Sequence, residues 1–104
     1  MDDELLKLLA SESNKSNSLK SLKLRPFSGF SIDAVEHFLK HATFVHTSRI
    51  DLKINATLSE VEEMFKRIDK FEVILLKQKE TEVKMKLKKI DEEIFITFAM
   101  LLNL

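Results

Sequence analysis

Apolar positions along the chain change period several times, and each change marks out an element. Residues 2–10 carry Leu5, Leu6, Leu8 and Leu9 along one side of a short helix whose start holds Asp2, Asp3 and Glu4, acidic groups that favour a helix N-terminus. Nine residues are too few for a helix to stand alone, so this one needs a surface to pack on. From Ser11 to Ser18 every side chain is polar, and the segment reads as a flexible linker.

Leu19, Leu22 and Leu24 then predict a short strand, ended by Pro26 and a Ser28-Gly29 turn. Ser31 is the expected N-cap of a helix to about Ala42 with the stripe Ile32, Val35, Phe38, Leu39 and Ala42. Between Thr47 and Asn55 the pattern alternates, with Ile50, Leu52 and Ile54 opposite Arg49, Asp51 and Lys53, as in a half-buried strand. Thr57 and Glu60 form a capping box ahead of a helix with the stripe Leu58, Val61, Phe65 and Ile68. Phe71 to Leu76 reads as a more fully buried strand, and Val83, Met85 and Leu87 alternate with Lys84, Lys86 and Lys88 in the second strand of a hairpin. Asp91-Glu92-Glu93 reads as the acidic start of a last helix over residues 92–103. Ile94 to Phe98 would suit a strand as well, but the Ala99-Met100-Leu101-Leu102 ending favours the helix.

This order predicts an α+β fold: a small mixed sheet of about four strands with helices packed on it. The expected organisation is a leucine helix over 1–10, a polar linker over 11–18, and one α+β domain over 19–104. Leu19 to Leu24 matches the first half of a leucine-rich-repeat consensus, but the second unit lacks that spacing, so no repeat array is expected.

Composition narrows the function classes. With 44% hydrophobic and 33% charged residues in 104, the chain can build one core. Seventeen basic and seventeen acidic side chains cancel, so any electrostatic partner must be recognised by a local patch. The absence of cysteine excludes disulfides, thiolate catalysis and Cys-based zinc sites. Met1-Asp2-Asp3-Glu4 is acidic where a secretory signal carries positive charge. The run Ile94 to Leu102 is far short of the roughly 20 residues that span a bilayer. A cytoplasmic or nuclear location without membrane contact is therefore expected.

Few residues point to chemistry. Asp33, His37 and His41 fall at i, i+4, i+8 on one helix face, a spacing open to zinc. No His-Glu-x-x-His frame supplies a base, so a solvated face is preferred, with no metal and no cofactor expected. Asn55-Ala56-Thr57 matches a glycosylation sequon, but Thr57 is expected as an N-cap. No Gly-rich phosphate loop or nucleophile elbow is present. Lys84, Lys86 and Lys88 form a basic stripe that could follow phosphates. Lysines on an edge strand also guard against sheet aggregation, and this strand lacks the aromatics that stack on bases.

Apolar excess lies at the two ends. Leu5-Leu6-Lys7-Leu8-Leu9 has the form of a helix that buries leucines in a partner groove. A C-terminal helix bearing Phe95, Phe98 and Leu102 would be apolar nearly all round. The expected function is thus a non-enzymatic protein–protein interaction domain. It would bind a protein partner or a second copy through Leu5, Leu6, Leu8, Leu9, Phe95, Phe98 and Leu102. Nucleic-acid binding through Lys84, Lys86 and Lys88 is the alternative, and a metal-dependent enzyme a third reading.

Overall fold

The computed structural model describes residues 2–13, 19–26, 28–90 and 92–100. The elements in chain order are α1 (Asp2–Glu12), β1 (Leu19–Leu24), α2 (Ile32–His41), β2 (Phe44–Ile54), α3 (Leu58–Ile68), β3 (Glu72–Gln78), β4 (Glu82–Lys89) and β5 (Glu92–Met100). The strands form one five-stranded sheet in the order β1-β2-β5-β4-β3. β1, β2 and β5 run parallel, whereas β4 is antiparallel to both β5 and β3.

This order puts the helices on one face. β3 runs parallel to β2, so β1–α2–β2 and β2–α3–β3 are both crossovers between parallel strands, stepping the same way across the sheet. Right-handed crossovers in the same direction lay both helices on the same side. Burial agrees: Ile50, Leu52 and Ile54 of β2, Val83, Met85 and Leu87 of β4, and Ile94, Ile96, Phe98 and Met100 of β5 are buried, while their alternate neighbours are not. Val35, Phe38 and Leu39 of α2 and Val61, Met64 and Phe65 of α3 close the core from above. The helix ends follow local chemistry. The Ser31 hydroxyl accepts from Ala34 N, and Thr57 and Glu60 make the expected capping box. Gly29, at φ +76°, sits so close to the backbone of Ile54 and Asn55 that a Cβ would lie 2.8 Å from the Ile54 carbonyl carbon. Only glycine fits that turn.

Three expectations change. The C-terminal segment is the strand β5 and not a helix over 92–103, which brings the sheet to five strands instead of about four. Isoleucine and phenylalanine suit a pleated strand, and a position between β2 and β4 pairs both edges of β5. Glu92 and Glu93, read as the start of a helix, open the strand itself opposite Lys89 and Lys88, and Asp91 lies outside the described residues. Ile90, in the turn before them, takes φ +50° and is 92% exposed, an uncommon conformation for a β-branched residue. The segment expected as a more fully buried strand is the outer strand β3, with Leu75 and Leu76 exposed. β4, whose lysines suggested an edge, lies inside the sheet.

The N-terminal helix runs two residues further than expected and packs on α2. Leu6 and Ala10 enter the common core. Asp3 accepts hydrogen bonds from Ser31 N (3.0 Å) and Ser31 Oγ (2.9 Å), which adds a carboxylate to the positive end of α2. At the other end Ser13 Oγ accepts from Thr43 N at 2.8 Å and donates to Ala10 O at 2.9 Å. Residues 14–18 of the expected linker lie outside the described residues. Because Leu6 is wholly buried and Leu8 is 55% exposed, Leu6→Ala should cost about 2–4 kcal/mol in urea unfolding. Leu8→Ala should change stability by less than about 0.5 kcal/mol. Equal small effects would mean that α1 is not seated on the core.

Candidate functional site

With the helices gathered on one side, the other face of the sheet stays open, and directly paired residues share that face. One row across it reads Ser21, Arg49, Phe95, Lys86 and Ile74, from β1 to β3. The next reads Lys23, Asp51, Thr97, Lys84 and Lys77. Lys88 continues the β4 line beside Glu93 and Glu72. Alternate residues on an antiparallel strand are about 7 Å apart, so Lys84, Lys86 and Lys88 form a straight ladder of cations along β4.

Phe95 stands near the middle of this face, half-buried. The Arg49 guanidinium lies over its ring, 5.5 Å from the centroid, in cation–π range. A shallow hollow of about 260 Å³ opens beside them over β1, β2 and β5, lined by Ser21, Lys23, Arg49, Asp51, Phe95 and Thr97 among others. Asp51, the acidic group in the hollow, is engaged by Arg25 through two hydrogen bonds, Nε to Oδ1 at 2.8 Å and Nη2 to Oδ2 at 2.9 Å. That bond to Asp51, and a weaker one to Glu82, raise the Arg25 pKa above its ordinary value. The Lys86 ammonium lies 4.0 Å from Glu93.

Zero net charge conceals a separation by layer. The three helices carry nine acidic and four basic side chains, whereas the five strands carry nine basic and five acidic ones. On the open face itself, Lys23, Arg49, Lys53, Lys77 and the three β4 lysines outnumber Asp51, Glu72, Glu82 and Glu93, which makes it the basic side of a two-sided molecule.

On the helix side, Asp33, His37 and His41 line an outward hollow with Glu36 and Lys40. The two imidazole rings lie 4.3 Å apart, tilted 44° to each other, and Glu36 is held by Arg67 (2.7 Å) and Lys40 (3.1 Å). Among the described residues no group of three or more His, Asp or Glu is placed to hold a metal ion, and no helix is long and apolar enough to cross a membrane. His46 lies elsewhere, its Nδ1 accepting from Glu93 N at 3.1 Å.

The apolar candidates are dispersed. Leu6 and Phe98 are core residues, Leu9 packs partly against the core, and Leu5 and Leu8 are exposed on α1. Leu102 lies outside the described residues. Among the described residues of that set, Phe95 alone joins Lys84, Lys86 and Lys88 on one surface. Sequence reasoning overlooked Arg49, Lys23 and Thr97 as their companions. Arg49 was visible as the polar side of an alternating strand, but its neighbours depend on β5 lying between β2 and β4.

No known family model, curated protein or solved structure matches the chain, so what it binds must be read from its own surfaces.

The Glu36–Arg67 contact ties α2 to α3 and gives stability a pH signature. The hydrogen bond from Arg67, aided by Lys40, lowers the Glu36 pKa below its ordinary value of 4.5. A carboxylate with a depressed folded pKa contributes stability that is complete above the unfolded pKa and lost as pH falls through the folded one. Arg67→Ala should therefore be less stable than the wild type at neutral pH. The gap in melting temperature should close as acid protonates Glu36, and a gap of constant size would show that the contact contributes no ionic stabilisation.

Proposed function

We propose that the chain is a non-enzymatic binding module that holds a nucleic-acid strand by its phosphates along the open face of the sheet. The observation that carries this reading is the lysine ladder of β4 on an interior strand. Lysines on an edge strand can be explained as protection against sheet-to-sheet pairing, but β4 already has neighbours on both sides. The cations of this paired strand lie beside Arg49 and Lys23 on the same face, and together they offer an extended anion several contacts at once. Polyphosphate chemistry fits them, since each lysine that meets a phosphate releases a condensed counterion.

Replacing Lys84, Lys86 and Lys88 together by Glu tests the reading. The wild type should bind a fluorescent oligonucleotide with an affinity that falls as salt rises, with a log–log slope of about −2 for three phosphate contacts on a single strand. The triple variant should lose that binding, and Lys66→Glu on the helix side should leave it unchanged. Equal affinity in the triple variant would refute the proposal.

A second reading, docking of another protein or a second copy on α1, is favoured by one observation. Leu5 and Leu8, three residues apart and so on one helix face, remain 41% and 55% exposed after the helix has docked. In sedimentation equilibrium this reading expects a dimer that Leu5→Glu with Leu8→Glu converts to a monomer. A monomeric wild type would leave only a different protein as the occupant.

A further inference from the structure

We infer that the hollow beside Phe95 is a slot for one unpaired base, so that the open face takes single strands in preference to duplexes. The inference rests on the phosphate reading above and adds to it the class of strand and the residue that selects it. Among the described residues, the buried phenylalanines Phe30, Phe38, Phe44, Phe65 and Phe98 are committed to the core. Phe95 instead sits on the open face with Arg49 paired on one side and Lys86 on the other. A half-buried ring in the middle of a polar, basic surface gains little from the core. It does offer a flat apolar platform between two cations.

That combination is what an unstacked base needs. Bases stack on an aromatic ring or on an arginine plane regardless of sequence, while their phosphates are held by cations alongside. In the free chain Arg49 covers the ring at 5.5 Å. A base entering the hollow takes that place, and the displaced guanidinium, on an exposed and flexible side chain, turns to a phosphate. The ring is covered in both states.

The rest of the hollow suits such a guest. Ser21 and Thr97 carry hydroxyls that can either donate or accept, so they can satisfy the edge of any base. Asp51 would repel a phosphate were it alone, but Arg25 holds both its oxygens. A duplex keeps its bases paired and stacked, so it can present only phosphates to a broad sheet face.

The test compares an oligouridylate of about ten nucleotides with an abasic strand of the same length and a blunt duplex, by fluorescence anisotropy at fixed salt. The variants are Phe95→Leu, which keeps apolar bulk without a ring, and Phe95→Tyr, which keeps the ring. Circular dichroism and melting establish that both are folded. The wild type should favour the oligouridylate over the abasic strand by about tenfold. Phe95→Leu should erase that preference without weakening the abasic strand, and Phe95→Tyr should retain it. Equal affinity of the wild type for the two strands would overturn the base slot and leave the phosphate reading standing. So would an undiminished preference in Phe95→Leu. A wild type that binds phosphatidylserine vesicles and neither strand would overturn both.

Discussion

The sheet exists as one sheet because its last strand enters between two earlier ones. Without β5, β1 and β2 form one ribbon and β3 and β4 another, with no hydrogen bonds between them. β5 joins them by pairing with Ser48–Ile54 on one edge and with Glu82–Lys89 on the other, and its Ile94, Ile96, Phe98 and Met100 supply the middle of the floor on which the helices rest. The β4–β5 pairing is a local hairpin, but the β2–β5 contacts each join residues 46 apart in the chain. Loop-closure entropy is spent before they form, so the fold belongs with the slower small domains. The same insertion gives the open face its centre, because it carries Phe95 into the space between Arg49 and Lys86.

What the sequence displays well is what neighbours in the chain decide. The Thr57–Glu60 box and the stripe of α3 can be read within a dozen residues, as can the Ser31 cap of α2 and the alternation in β2 and β4, and all are present. β5 is harder because its open face also bears Phe95 and Ala99, so the run looks apolar on every side, as a buried helix would. The turn before it gives no help, since Ile90 stands at a positive φ where Asn or Gly would announce a hairpin. Strand order is hidden altogether. β4 is interior because hairpins flank it on both sides, and the second hairpin stays hidden while residues 92–103 read as a helix; this is what alters the meaning of the lysines. The docking of α1 escapes notice for a similar reason, as the groups that fasten it, Asp3 and Ser13, resemble ordinary surface residues until Ser31 and Thr43 are beside them.

Net charge is a poor guide to a molecule of this kind. A sum of zero discourages a search for anionic partners, yet the same side chains sorted by layer leave the sheet basic and the helices acidic. The sorting is economical in physical terms. Acidic groups early in α2 and α3 complement the positive helix ends, and the lysine stems cover apolar sheet surface while their ammonium groups stay in water. Helix chemistry and sheet chemistry thus separate the charges before any ligand is considered.

That separation makes each molecule a small electric dipole. Copies carry no net charge to hold them apart at a distance, and at close range the acidic back of one is matched to the basic front of the next. A contact of that kind would join unlike surfaces, so it would not close after two members but continue as a stack. Dissolved salt would screen it within about 10 Å at 0.1 M, so dilute buffer near neutrality is where such stacking would be strongest. A polyanion lying on the basic front would cap the stack and return the molecules to solution.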